Sequence, residues 1–302
     1  MKYSLPAFLA VSIALIANAP LSQADEAKSY LIKLNRPVKV GDKSHETFKY
    51  EATKQQRVSS GEKVVSDKKE VLKAEMAGVG QVLALTPHGR IQKFTFKLEK
   101  FVVQTGGEAP EEPFKAGATV SGELDQSGKA IYTSDGGEIT KVARTVFEKL
   151  LELKPDKKTE SDDDKIFGTL TPRAVGTEWK VIPADALATM PEDMPFKVAE
   201  EDLTGVVKFP AVKQVGGKDH GVFQAVITIQ PKEMDLKGLK LNSMVIRAVM
   251  EKDVPLDPKA IVPFSKTVFS STVDAGGNTP NGLVHLELTA SETKTNESKK
   301  VE

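Results

Sequence analysis

The sequence predicts a mainly β protein: an antiparallel meander that forms a curled sheet or partly open barrel, with one amphipathic helix packed on it. Two observations predict this class. Most of the chain beyond residue 25 alternates apolar and polar residues, and this period of two places one set of side chains on each face of a strand. Residues 138–153 instead space their apolar side chains by threes and fours, as one face of a helix requires.

The first 24 residues are typical of an export signal. Lys2 supplies a positive start, and the apolar run 7–17 is too short to span a bilayer by itself. Residues 22–24 (SQA) offer a cleavage site of the small-x-small type. We therefore expect a mature chain that starts at Asp25 and is exported to the periplasm or the extracellular space. In that mature chain, no run of residues is long and apolar enough to predict a transmembrane segment.

Residues 25–153 are predicted to form a β-rich N-terminal half that ends in the helix. In the segment 45–53, Phe48, Tyr50 and Ala52 share one face, which is typical of a half-buried antiparallel strand. Turn-forming residues predict hairpins at 59–62, 87–89 and 125–128. In the arm 91–104 the parity of the apolar residues changes after Leu98, so we expect a β-bulge near residues 99–100.

The helix at about 138–153 is expected to pack on the sheet through its apolar stripe. A helix lying on a membrane surface is the alternative, but such helices favour a basic excess on the polar face. Here the polar face mixes both signs of charge, with Glu138, Glu148 and Glu152 beside Lys141, Arg144 and Lys149.

The second half of the chain also has a β pattern, and it follows a charged segment. Residues 154–168 carry no periodic apolar face and predict a solvated linker. Residues 169–290 predict a β-rich C-terminal half with a hairpin turn at 216–219. Residues 291–302 contain few apolar side chains and predict a disordered tail.

Four short segments resemble a known group of proteins. The segments are 36–43 (RPVKVGDK), 166–168 (IFG), 175–179 (VGTEW) and 212–219 (VKQVGGKD). Over most of its mature length the chain resembles uncharacterised exported β-rich proteins from bacteria such as planctomycetes and verrucomicrobia. The resemblance implies an envelope location and no catalytic residue. Trp179 matches the pattern and is expected to anchor the core of the second half.

The composition excludes several functions. The chain has 42 Lys+Arg and 42 Asp+Glu, a balance that argues against nucleic acid as a partner. The absence of cysteine excludes disulfides, thiolate metal sites and cysteine nucleophiles.

No motif predicts a catalytic, cofactor-binding or metal-binding residue, so we expect no enzyme activity and no cofactor. His45-Glu46 starts a zincin-like pattern, but Lys49 stands where the second ligand should be. Gly78-Val79-Gly80 lacks the third glycine of a dinucleotide fingerprint, and Gly122 and Gly128 are spaced wrongly for a phosphate loop.

Three further groups of polar residues do not match any recognised catalytic or metal-binding site. Ser66 and Lys69 have the spacing of a Ser-x-x-Lys motif, but in such sites the serine stands at the start of a helix. Here the sequence predicts a strand or turn, so we do not expect a catalytic serine. The acidic run 162–164 lacks the spacing and the glycine of a calcium loop. The four histidines, His45, His88, His220 and His285, fall at turns or on polar strand faces and are expected to be exposed and solitary.

Three functions fit this pattern. The first is a non-catalytic cell-envelope protein that acts by binding through its surface or its interior. The alternative is a carrier of a lipid or another apolar ligand, and the third is a hydrolase whose site is assembled from distant strands. The interior of the fold distinguishes the first two functions. A carrier needs a cavity of ~300–1,000 Å³, whereas an interior filled by side chains leaves no such cavity.

Overall fold

The computed structural model describes residues 28–155, 163–190, 194–236, 238–279 and 282–301. The predicted export signal, with its cleavage site, lies outside these residues. So do residues 156–162 of the predicted linker.

Long antiparallel strands make up most of the described chain. The strands are β1 (Ser29–Tyr30), β2 (Lys43–Ser60), β3 (Lys63–Leu85), β4 (Ile91–Thr105), β5 (Thr119–Leu124), β6 (Ala130–Ser134), β7 (Arg173–Ala174), β8 (Thr177–Lys180), β9 (Phe196–Lys197), β10 (Leu203–Val215), β11 (Lys218–Ile229), β12 (Glu233–Met234), β13 (Lys240–Pro255), β14 (Phe264–Thr279) and β15 (Gly282–Lys300). The helices are α1 (Lys141–Leu150), α2 (Asp163–Ile166) and α3 (Pro183–Ala188), with a 3-10 turn at Glu200–Asp202.

Eleven of these strands form one open sheet, which confirms the predicted fold class. Their order is β6-β5-β4-β3-β2-β15-β14-β13-β11-β10-β8, and each neighbouring pair is antiparallel. The edges are β6 and β8, so the curled sheet does not close. Two small pairs, β1 with β7 and β9 with β12, stand apart from it.

The predicted hairpins and the bulge are present. Gly61 in the β2–β3 turn has a φ of 59°, a left-handed conformation that glycine adopts at little cost. In the β3–β4 ladder, Ala77 pairs with Lys100 and Gly78 pairs with Leu98, so Glu99 is the extra residue. The predicted bulge is thus confirmed. It keeps Phe96 and Phe101 in the same core although their positions differ in parity.

The helix α1 packs on the sheet as its stripe predicts. Ala143, Val146, Phe147 and Leu150 are buried against strands β2 to β6. The Phe147 ring stacks on Phe101 with centroids 4.9 Å apart. The helix spans Lys141–Leu150 and is shorter than the predicted 138–153 at both ends. It starts at Lys141 because Thr140 caps it: the Thr140 hydroxyl accepts the Ala143 N–H at 3.2 Å.

A second hydrophobic core lies under strands β10, β11 and β13. Helices α2 and α3 contribute Ile166 and Ala186 to it. The N-terminal segment, for which the sequence predicted no particular strand or helix, contributes Ile32 and Leu34, both buried. Trp179 packs on this core while half-buried, and its indole N–H donates to the Phe167 carbonyl at 2.5 Å. Among the described residues, no helix has the length and apolar character that crossing a membrane requires.

The prediction of a solvated linker over 154–168 is wrong for its last six residues. Asp164 is buried, and its carboxylate accepts the backbone N–H groups of Leu34 at 2.7 Å and Asn35 at 3.2 Å. The hydroxyl of Thr169 donates to the same carboxylate at 2.7 Å. A buried carboxylate with these donors is a structural element, although in the sequence it stands among residues that read as solvated charge.

The prediction of a disordered tail over 291–302 is also wrong for residues 291–300. Residues 291–300 continue β15, which pairs with β14 on one side and with β2 on the other. Main-chain hydrogen bonds hold a central strand on both edges whatever its side chains are. The polar composition of this segment suggested disorder. Instead, three of its polar residues, Lys294, Asn296 and Lys300, line a cavity on one face of the sheet.

Candidate pocket on the inner face of the sheet

A cavity of about 410 Å³ opens on the sheet face that α1 covers. It lies where β2 and β15 meet the end of α1, the N-terminal segment 36–43 and the loop 259–261. We call it the inner-face pocket. Its volume falls in the range of small-molecule sites, so the interior is neither fully packed nor fully open.

One wall of the inner-face pocket is apolar. It is formed by Phe48, Val82, Phe94, Phe96, Leu150 and Ile261, among others. The strand residues in this set face inward because of the alternation along β2, β3 and β4. Phe48, Phe94 and Phe96 also belong to the core beneath α1. This wall can accept the hydrocarbon part of a ligand.

The opposite wall is polar and comes largely from the end of β15. Lys294, Asn296 and Lys300 share one parity, so they point to the same face. In the ladder, Lys294 lies opposite Tyr50 and Asn296 lies opposite Phe48. The two strands therefore set polar side chains directly beside aromatic ones.

Lys294 joins this polar wall to the helix. Its ammonium donates to the carbonyls of Lys149 at 2.8 Å and Leu150 at 3.4 Å, the last turn of α1. A cation at this position complements the helix dipole and the free carbonyls. The same ammonium lies 5.8 Å from the Phe48 ring centroid. Burial lowers the pKa of Lys294 below its usual value, despite the favourable field of Glu152.

Two buried polar atoms in the pocket lining have no partner among the described residues. They are the side-chain oxygen Oδ1 of Asn296 and the guanidinium Nε of Arg36. The other two nitrogens of Arg36 are engaged, donating to the carbonyls of Pro255 at 2.6 Å and Asp257 at 2.7 Å. An unpaired buried donor or acceptor costs ~1–3 kcal/mol, so each one favours a ligand that pairs it.

The charge of the lining is positive. It includes five basic residues, Arg36, Lys43, Lys259, Lys294 and Lys300, and three acidic ones, Asp42, Glu46 and Glu152. Within the described chain, none of the ammonium groups of Lys43, Lys259 and Lys300 forms an ion pair with a carboxylate. Of the acidic three, Glu46 accepts the hydroxyl of Ser298. The lining therefore suits an anionic group.

The glycine patterns found in the sequence serve packing. A Cβ at Gly78 would lie 2.1 Å from the Lys97 carbonyl oxygen, and one at Gly122 would lie 2.4 Å from the Phe94 ring. Both glycines therefore allow a close approach within the sheet. Gly80 differs, because it borders the inner-face pocket and a Cβ there would meet Phe96 at an ordinary 3.5 Å.

The expectation that the histidines are exposed and solitary is wrong for His45, His220 and His285. His220 is buried, with its Nδ1 2.9 Å from the Lys218 carbonyl oxygen. His45 lies 2.8 Å from Glu99, and His285 lies 3.0 Å from Asp274. Strand register brings these partners together, and spacing along the sequence does not show register. His88 is exposed, as expected.

Comparisons with known proteins identify no family. No protein-family model and no curated protein matches the chain. A structure of lipid–protein interactions in lipovitellin is 10% identical with a TM-score of 0.31, over 86% of this chain and 25% of that one. An outer membrane channel from Pseudomonas putida F1 is 10% identical with a TM-score of 0.20, over 88% of this chain and 99% of that one. Neither score is high enough to transfer a function.

Proposed function

We propose that this protein is an exported, non-catalytic binding protein, and that its inner-face pocket holds an amphipathic small molecule with an apolar chain and an anionic head, such as a lipid. One observation carries the proposal. A cavity of about 410 Å³ combines an apolar wall with a cationic wall that contains two buried atoms without partners among the described residues.

The two walls favour a ligand with two parts. Phe94 and Phe96 offer apolar surface, and burying a hydrocarbon chain there contributes ~25 cal/mol per Å². Lys259 and Lys300 offer donors to an anionic head. A purely apolar ligand fits less well, because it would cover Asn296 Oδ1 and leave that atom unpaired.

Export belongs to the same proposal, since a carrier of envelope lipids needs to be outside the cytoplasm. Mass spectrometry of the protein recovered from its native envelope should show a mature chain that starts at Asp25. A mature protein that retains Met1 would contradict the export part of the proposal and leave the binding part to be tested separately.

The binding part is tested by native mass spectrometry of tag-free protein purified from its own envelope, followed by solvent extraction of any ligand. We expect a co-purified anionic amphiphile. The variant Gly80→Leu should lose it, because the new side chain fills the pocket while its Cβ makes only ordinary contacts. The control Lys97→Gln changes an exposed residue outside the pocket lining and should retain the ligand.

Two results would contradict the binding proposal. One is a folded protein that carries no amphiphile and takes up none when lipids are supplied. The other is turnover of an ester, peptide, phosphate or glycoside substrate that Glu46→Gln abolishes, which would favour a hydrolase instead.

A further inference from the structure

We propose that Asp274, His285 and Glu287 form a binding site for a divalent transition-metal ion, with Zn²⁺ as the best fit. Each residue offers one ligand atom, and the three atoms lie within 4.8 Å of one another. The site is on β14 and β15, on the sheet face opposite the inner-face pocket. It is therefore independent of the function proposed above.

The backbone brings the three side chains together. Glu287 lies directly opposite Asp274 in the β14–β15 ladder, and His285 precedes Glu287 by two residues on the same face. Side chains at opposite and diagonal positions of an antiparallel pair are within ~4.5–8 Å of each other. Both strands have a paired neighbour on each side, so the ligands stand on a well-supported part of the sheet.

The two carboxylates at this site favour the binding of a cation. Asp274 and Glu287 form a cross-strand pair of like charges, which destabilises a sheet. Their present compensation is partial: His285 Nε2 lies 3.0 Å from Asp274, and Arg57 lies 3.9 Å from Glu287 with both side chains about half exposed. A divalent ion would neutralise both carboxylates at once.

The ligand set favours Zn²⁺ over Mg²⁺ or Ca²⁺. Zn²⁺ accepts imidazole nitrogen together with carboxylate oxygen, whereas Mg²⁺ and Ca²⁺ prefer oxygen alone. Asn242 donates to the other oxygen of Asp274 at 2.5 Å, and this contact orients the carboxylate as outer partners of metal sites do. Three protein ligands would leave a fourth position for water.

The chain contains a matched control. His45 and Glu99 form a similar pair at 2.8 Å, with similar exposure of the imidazole. Within the described residues, however, no second carboxylate completes a cluster there. If the site needs three ligands, a change at His285 should therefore weaken metal binding, and a change at His45 should leave the affinity nearly unaltered.

The test is a Zn²⁺ titration of the tag-free mature protein against a fluorescent chelator. We expect one ion per chain. His285→Ala, Glu287→Gln and Asp274→Asn should each weaken binding by more than about tenfold, and Asn242→Ala by about 10–100-fold, as typical outer-shell changes do. His45→Ala should change the affinity less than about twofold.

A second measurement needs no variant. In the unchanged protein, Zn²⁺ should shift the imidazole NMR signals of His285 and leave those of His45 in place. The proposal is overturned if no saturable binding occurs, if His45→Ala weakens binding as much as His285→Ala, or if the His285 signals do not move.

Discussion

Asp164 shows how a single residue can have a role that its sequence neighbourhood hides. It stands in a charged run that predicts solvated linker, yet the fold buries it and gives it two backbone N–H donors and a hydroxyl. These donors belong to Leu34, Asn35 and Thr169, and two of the three are more than a hundred positions away. Sequence patterns report local spacing, so they could not predict this contact.

The neighbouring residues Asp163 and Asp164 provide a matched pair of variants. Asp164→Ala leaves two N–H groups beside the second core without their acceptor, and each such loss costs ~1–3 kcal/mol. Asp163→Ala removes only a partly exposed ion pair with Lys252, worth ~0–1 kcal/mol. Urea unfolding should therefore show a clearly larger loss of stability for Asp164→Ala, and equal losses would contradict the structural role of Asp164.

Tyr132 makes stability depend on pH at the alkaline end. Burial, with the nearby carboxylates Glu148 and Glu152, raises the pKa of Tyr132 from 10.0 to about 12. Between these values the unfolded chain loses the phenolic proton while the folded protein keeps it, so the free energy of unfolding falls as pH rises from 10.0 to about 12. We expect Tyr132→Phe to lose less stability over this range in urea titrations. A phenol of Tyr132 that ionises near 10.0 in the folded protein would contradict this.

At the scale of elements, the sequence predicted strand segments within β2 and β4, the hairpin turns at 59–62, 87–89, 125–128 and 216–219, and α1. It failed where both faces of an element are polar or where an element is very short. The second half of β15 is the main case: its inward residues Lys294, Asn296 and Lys300 are polar because they line the inner-face pocket. Helices α2 and α3, of four and six residues, are too short to show a period.

The packing of α1 is tested by Phe147→Ala. Phe147 is fully buried and contacts the rings of Phe101, Phe114 and Tyr132. Its truncation should cost ~3–5 kcal/mol, the usual range for a buried phenylalanine. Changing the exposed neighbour Glu148 to Ala should alter the free energy of unfolding by no more than about 0.5 kcal/mol. Similar values for the two variants in thermal or urea unfolding would mean that α1 is not docked.

The ordering of β15 is tested by truncation. Deleting residues 291–302 would remove the second half of β15, which pairs with β14 on one side and with β2 on the other, and would uncover the cross-strand contacts of Tyr50 and Phe48. We expect loss of the cooperative unfolding transition, whereas deleting residues 301–302 should leave it unchanged. A cooperative transition that survives the long deletion would contradict the central place of β15 in the sheet.

At the scale of the whole molecule, one sheet carries two separate hydrophobic cores. The first and last long strands of the described sheet, β2 and β15, pair with each other and join the two halves. The inner-face pocket lies beside this junction and takes residues from segments as distant as Arg36 and Lys300. The fold class could be predicted because it depends on local period. The pocket depends on which distant strands pair, so the sequence alone could not reveal it.

The inner-face pocket is proposed to bind an amphiphile with an anionic head, and this binding can be measured directly. The most direct measurement is displacement of a fluorescent fatty acid from delipidated protein by a fatty acid and by the fatty alcohol of equal chain length. We expect the acid to bind about tenfold or more tightly than the alcohol, since hydrogen bonds to a charged group contribute ~1.5–3 kcal/mol. The double variant Lys259→Gln and Lys300→Gln should remove that difference, and Gly80→Leu should weaken both ligands. No saturable probe binding by folded protein, or binding that Gly80→Leu leaves unchanged, would contradict the claim.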